Sequence, residues 1–220
     1  MARRLKSGRL VFMKMWGNIF AFGYDRFMAA AENAGLRTYR ENLLQAASGR
    51  VLEIGGGTGA NLPFYGGGVT ELIVAEPEEP MVRRLRHKLQ GYRIPTTTLS
   101  APAEQLPVAA ESFDCVVSTL VLCTVPDPAR ALAEVRRVLK DRGQLLFIEH
   151  VRSEDPSLAH WQDRLRRPWA WFGYGCQCNR STVETIRSAG FSVSKLECRK
   201  LPKVPPIVRP LVIGNAAKAA

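Results

Sequence analysis

The stretch Val51-Leu52-Glu53-Ile54-Gly55-Gly56-Gly57-Thr58-Gly59-Ala60-Asn61 restricts the fold of this chain more than any other. A short apolar strand carrying one acidic residue runs into glycines at alternate positions. Glycine adopts positive φ without steric cost and lets a ligand approach the backbone closely. In an open α/β sheet the carboxyl end of such a first strand is where ligands bind. The stretch therefore reads as a strand, a ligand cradle and the entry to a helix.

The rest of the chain keeps that rhythm. A helical pattern over residues 30–47 ends at Ser48-Gly49, a stop signal of the left-handed kind. Strand-like runs follow at Arg50–Ile54, Thr70–Ala75, Thr96–Ser100, Phe113–Thr119 and Gln144–His150, with helical stretches at 79–90 and 127–140 between them. Continuous apolar strands alternating with helices predict a parallel sheet covered on both faces. Beyond His150 come a Trp- and Arg-rich stretch (156–172), a Gly/Cys turn region (173–178), a helix from Arg180 to Ala189 and a strand at Phe191–Arg199. Pro202, Pro205, Pro206 and Pro210 then precede Leu211-Val212-Ile213, a last strand expected to pair antiparallel. The expectation is an α/β fold with a seven-stranded, mostly parallel sheet. Residues 1–48 form a basic, amphipathic helical cap, residues 49–220 the ligand-binding domain, and 151–178 an insertion on the substrate side.

At 220 residues the chain is sized for one domain. Its 31 Lys and Arg against 20 Asp and Glu leave a net charge of +11, which points to an anionic partner. Nine of those basic residues and only three acidic ones fall in residues 1–50. Lys14, Asn18, Asp25 and Arg26 interrupt the apolar run from Leu10 to Met28, so no segment there reaches the roughly 20 apolar residues of a spanning helix. Residues 1–28 read as a helix docked over a substrate pocket, or as a peripheral contact with an anionic membrane. The five cysteines lack a secreted-framework spacing and follow no signal peptide, which favours reduced thiols in the cytoplasm. Cys176-x-Cys178 is too tight for a zinc knuckle and His160 completes no ligand pattern, so no metal is expected.

Two ligands compete for the cradle. Gly55-x-Gly57-x-x-Ala60 satisfies a nicotinamide-dinucleotide fingerprint, leaving an oxidoreductase open. Glu53, however, places a carboxylate that repels a pyrophosphate and attracts the cation of an amino-acid moiety. Glu76, ending the second strand, suits the two hydroxyls of a ribose and fits both ligands.

At this point the sequence resembles the class I S-adenosylmethionine-dependent methyltransferases, whose first motif is matched by Glu53, Gly55, Gly57 and Gly59. Ser100-Ala101-Pro102-Ala103-Glu104-Gln105-Leu106-Pro107 is similar to the family's third-strand loop, and Ser112-Phe113-Asp114-Cys115-Val116-Val117 to the opening of its fourth strand. The turn Leu139-Lys140-Asp141-Arg142-Gly143-Gln144 departs from the family's usual L-K-P-G-G. The resemblance implies a Rossmann-like fold with S-adenosylmethionine as cofactor. It implies cofactor contacts at Glu53, Gly55, Gly57, Gly59, Asn61, Glu76, Pro77, Met81, Ala103, Glu104, Thr119 and Leu120.

A narrower likeness, to the methyltransferase-like seven group of thiol S-methyltransferases, rests on Gly57–Asn61, Thr119–Val125, Glu134–Leu139, Glu149-His150-Val151 and the Gly175-Cys176 turn with Arg180 and Thr182. It implies a small lipophilic acceptor, a thiol or a phenol; a lipid or quinone acceptor at a membrane surface and a nonenzymatic cofactor-gated binding protein are the alternatives. Nucleic acid is disfavoured, because Thr119-Leu120-Val121-Leu122 stands where methyltransferases acting on nucleic-acid amines carry a polar tetrad. Methyl transfer from a sulfonium needs mainly orientation. His150, at the carboxyl end of the fifth strand beside Glu149, is the candidate catalytic base, with a purely structural histidine as the alternative. Trp161, Trp169, Trp171, Phe172 and Tyr174 read as an apolar acceptor wall or as ordinary core.

Overall fold

The computed structural model describes Arg26 and residues 28–219. The expectations for residues 1–28 lie almost wholly outside the described residues. Helix α1 (Arg37–Leu44) leads into β1 (Gly49–Ile54). Then follow β2 (Val69–Ala75), α2 (Glu79–Lys88), β3 (Thr96–Leu99), β4 (Phe113–Thr119), α3 (Pro128–Val138) and β5 (Leu139–His150). The chain continues through α4 (Pro156–Phe172), α5 (Thr182–Ser188), β6 (Phe191–Lys200) and β7 (Pro210–Lys218). The seven strands form one sheet in the order β3-β2-β1-β4-β5-β7-β6. The first five run parallel, while β7 pairs antiparallel with both β5 and β6. This is the expected Rossmann-like arrangement.

Alternation along each central strand divides the core in two. Leu52 and Ile54 of β1, Val116 of β4, and Leu145 and Phe147 of β5 join the cluster that includes Leu132 and Val135 of α3 and Ile186 of α5. Val51, Cys115, Val117, Leu146 and Ile148, from the same strands, join Leu43 and Leu44 of α1 and Leu85 of α2. A strand buried on both faces has no polar side to show, which is why these strands read as unbroken apolar runs. Burying each Leu or Phe of this kind stabilises the fold by about 1.5–3 kcal/mol. The loops after β1, β2, β4 and β5 all open at the carboxyl edge of the sheet, beside the reversal of strand order between β1 and β4, the usual ligand crevice.

Four elements differ from the sequence expectation, the first being β5, which begins at Leu139 and takes in the expected turn Leu139–Gln144. Residues 156–172 form a 17-residue helix. Asp155 caps it by accepting the Ser157 and Leu158 amides at 2.8 and 3.1 Å, and Pro156 occupies the first turn, where its missing N–H costs nothing. Strand β7 runs to Lys218, well past Ile213, because ladder bonds to β5 and β6 on both sides outweigh the weak strand propensity of Gly214, Ala216 and Ala217. The expected helix over 30–47 contains a π-helical turn at Glu32–Leu36, with Gly35 at φ 139°.

Candidate active site

Gly55 and Gly57 stand at φ 59° and 54°, in the left-handed region. A Cβ on Gly55 would lie 2.5 Å from Val121, whereas one on Gly57 would meet nothing within 4 Å. Gly55 is thus glycine for packing, and Gly57 is glycine at an open cradle. The Gly57 amide donates to Glu76 Oε2 at 2.8 Å, and the Glu78 amide to Glu76 Oε1 at 2.9 Å. Each Glu76 oxygen retains acceptor capacity, which fits the paired hydroxyls of a ribose. Burial pushes the Glu76 carboxyl above its usual range.

Glu53 is buried in a polar network. Asn61 Nδ2 donates to its Oε1 at 2.9 Å and the Tyr65 hydroxyl to its Oε2 at 2.8 Å. Arg40, only 3% exposed, donates through Nη1 to Asn61 Oδ1 and Thr119 Oγ1, both at 2.9 Å, and through Nε to Glu32 at 3.0 Å. Desolvation raises the Glu53 carboxyl to about 7, against the lowering by Tyr65, Arg40 and Asn61. A cationic ligand end beside Glu53 would favour its ionised form. These residues suit the cofactor that the resemblance implies: an open glycine backbone, a diol acceptor and a carboxylate for an ammonium group.

The other expected residues occupy the same edge with different exposure. Met81 and Ala103 are buried, Pro77 is exposed, and Glu104 accepts the Asp127 amide at 3.2 Å. Thr119 is buried in the Arg40 network. Leu120 follows at φ 61°, a conformation a bulky residue rarely holds. Its amide donates to the Ile148 carbonyl at 2.7 Å, and Glu149 holds the turn that follows. Glu149 is fully buried and accepts Ser118 Oγ at 2.7 Å and the amides of Val121, Leu122 and Cys123 at 3.1, 3.0 and 3.1 Å. Four donors on one carboxylate fix the loop between β4 and α3 onto the end of β5.

That loop delivers Cys123 to His150. The His150 Nδ1 atom lies 3.9 Å from Cys123 Sγ and 3.7 Å from Cys176 Sγ, and the two sulfurs are 3.9 Å apart. All three residues are buried, and His150 Nε2 has no hydrogen-bond partner among the described residues. The neighbouring Cys123 thiol and then the His150 ring hold the Cys176 thiol well below its usual range, in spite of burial, while Cys123 is pushed up. Cys178, Ile207 and Val208 complete the apolar cluster around the two thiols, with Leu120, Leu158, Leu165 and Trp169 packed on it. Two residues before Cys176, the Tyr174 hydroxyl hydrogen-bonds Glu78, so the segment after α4 reaches back to the Glu76 side of the crevice. The aromatic wall divides: Trp169 packs inward, whereas Trp161, Trp171 and Phe172 are 52%, 62% and 47% exposed. His87 and His160 are exposed, away from this cluster.

Sequence reasoning did not find Arg40, Tyr65 or the clamping role of Glu149. Arg40 stood in a helical pattern as an ordinary polar residue; an arginine one helical turn from buried leucines was the available signal.

The chain matches the family model for a methyltransferase domain over residues 52–147. It is 38% identical over 186 residues to the human thiol S-methyltransferase TMT1B, covering 80% of this chain and 74% of that one. It is 32% identical over 156 residues to a phosphatidylethanolamine N-methyltransferase of Cereibacter sphaeroides, covering 70% and 73% respectively. Among solved structures, an S-adenosylmethionine-dependent methyltransferase of Thermotoga maritima, titled a possible histamine N-methyltransferase, superposes with a TM-score of 0.67 at 24% identity over 91% of this chain and 97% of that one. These relatives decide between the two ligands that the glycine turn alone left open, and the chain belongs to the class I methyltransferases that take S-adenosylmethionine as cofactor.

Proposed function

We propose that this enzyme methylates the sulfur of a small lipophilic thiol. The observation that carries the reading is the acceptor end itself: an apolar cluster around Cys123, Cys176 and His150, joined through Leu120 to the cofactor edge. The likeness to TMT1B supports the same acceptor class. When bound, S-adenosylmethionine supplies an activated methyl group on a sulfonium. Gly57 and Glu76 hold the nucleoside end, Glu53 and Asn61 the amino-acid end, and the apolar cluster excludes water from the acceptor. A thiol with a pKa near 8.5 presents a few per cent of thiolate at neutral pH, so a modest proton acceptor suffices. His150 takes that role: with its Nδ1–H donating toward the Cys176 sulfur, the unpartnered Nε2 carries the lone pair.

The reading is tested by methyl transfer from labelled S-adenosylmethionine to aliphatic thiols, aromatic thiols, phenols and phosphatidylethanolamine vesicles. Thiols are expected to turn over fastest, and His150→Gln to lower kcat on a high-pKa thiol more than on an acidic one. Faster turnover of phosphatidylethanolamine or of a quinone precursor would replace the thiol reading.

That second reading has its own support. The likeness to the phosphatidylethanolamine N-methyltransferase spans most of both chains, and Trp161, Trp171 and Phe172 lie exposed on α4, a helix that also carries Arg164, Arg166 and Arg167. No helix among the described residues is long and apolar enough to cross a membrane. A cytoplasmic enzyme that touches an anionic bilayer through residues 1–28 fits both acceptors. Deleting those residues while vesicle binding persists would dismiss that contact.

A further inference from the structure

We propose that Cys123 Sγ, Cys176 Sγ and His150 Nδ1 form a binding site for one thiophilic divalent cation of the zinc class. The three come from separate elements: the turn after β4, the end of β5 and the segment after α4. Their donor–donor edges are 3.9, 3.9 and 3.7 Å. A tetrahedral ion with metal–sulfur bonds of about 2.3 Å and metal–nitrogen bonds of about 2.0 Å sets edges of about 3.5–3.8 Å, so the face is already close to the required size. Among the described residues this is the group of donors that gathers within 4.8 Å.

The surroundings select the ion. Two sulfurs and an imidazole, without a carboxylate oxygen, favour zinc over magnesium or calcium. Glu149 is adjacent, but its oxygens are committed to Ser118 and three backbone amides. The half-buried Arg180 guanidinium faces both thiols and Glu149, and its charge offsets that of the carboxylate. Two thiolates and a divalent cation then sum to zero inside an apolar shell, the condition under which buried charge is tolerated.

Three protein donors leave a fourth position, as in catalytic rather than structural zinc sites. A thiol entering there gives its proton to solvent and binds as the thiolate. A ring coordinated through Nδ1 keeps its proton on Nε2, so an occupied site moves acceptor activation from His150 to the cation. Only this consequence rests on the methyltransferase reading; cation binding is measured without turnover.

The full chain, reduced with a phosphine, is titrated with Co²⁺ and followed by its thiolate-to-metal charge-transfer and visible bands. One ion per chain, with tetrahedral bands, is expected. Charge-transfer intensity should fall by about half in Cys123→Ser and in Cys176→Ser and stay unchanged in Cys198→Ser, whose thiol is exposed. Zinc should raise the melting temperature of the wild type and not of Cys176→Ser, which separates lost binding from lost folding. Adding 2-mercaptoethanol to the cobalt form should shift the bands; unshifted bands would overturn the open fourth position. Absence of cobalt bands in the reduced wild type, or an equal loss in Cys198→Ser, would overturn the site. A chain that loses two hydrogens in air by joining Cys123 to Cys176, and binds no cobalt after reduction, would make the pair a disulfide instead.

Discussion

The two ends of the crevice are built on opposite plans. At the cofactor end the contiguous stretch Glu53–Asn61 supplies the glycine turn, and its polar side chains are partnered: Glu53, Asn61, Tyr65, Arg40 and Thr119 bond one another. At the acceptor end Cys123, His150 and Cys176 come from three separate elements, and His150 Nε2 has no partner among the described residues. A network whose side chains hold one another keeps one geometry; an unpartnered ring nitrogen leaves binding capacity for whatever enters. On the proposed reading, the cofactor is set by a partnered network and the acceptor by an adaptable cluster of soft atoms.

The contrast breaks most severely at Glu149. Glu149→Ala strands three backbone amides and the Ser118 hydroxyl, and unpaired buried donors cost about 1–3 kcal/mol each, so a loss of at least about 4 kcal/mol in urea unfolding is expected. Methyl transfer should vanish with it, because Cys123 loses its anchor.

The cofactor end is sharpened by pH. Glu53 has a folded pKa of about 7 against an ordinary value of 4.5. Across that window the folded chain holds a proton that the unfolded chain releases, so stability falls as pH rises and the contribution is gone above about 7. At about 1.4 kcal/mol per unit the ceiling is about 3 kcal/mol. Urea melts of the ligand-free protein should show this slope, and Glu53→Gln should flatten it. Affinity for S-adenosylhomocysteine, which bears an ammonium group, should rise over the same interval.

Gly57→Val should separate folding from binding. The side chain enters open space, at a φ that itself strains an L residue by about 1–2 kcal/mol, so calorimetry should read about a 100-fold weaker S-adenosylhomocysteine complex, about 2.7 kcal/mol, on top of that folding cost. A folding loss well above the backbone strain would show that the turn is packed and not a cradle. The smallest effect belongs to Trp171→Ser: an exposed site should move stability by no more than about 0.5 kcal/mol, and a larger drop would place Trp171 in the core.

How much of this was legible follows from the same contrast. Glu53, Gly57 and Glu76 stand in a strand–turn–strand pattern that chain order preserves, so the cofactor end and the parallel sheet read directly. Arg40 meets Thr119 across 79 positions, and Cys123 meets Cys176 across 53, and spacing along a chain carries no trace of such encounters. Helix α4 was hidden for another reason: its exposed tryptophans and Pro168 blur the apolar stripe by which a helix is recognised. Asp155-Pro156 was the surviving signal.

The position of β7 reaches beyond the site. It lies between β5 and β6, and among the described residues β6 finds its ladder partner in β7 alone. Strand β6 is therefore held in the sheet through β7. Removing residues 210–218 would release two strands at once and leave the β5 edge open to pairing with another chain.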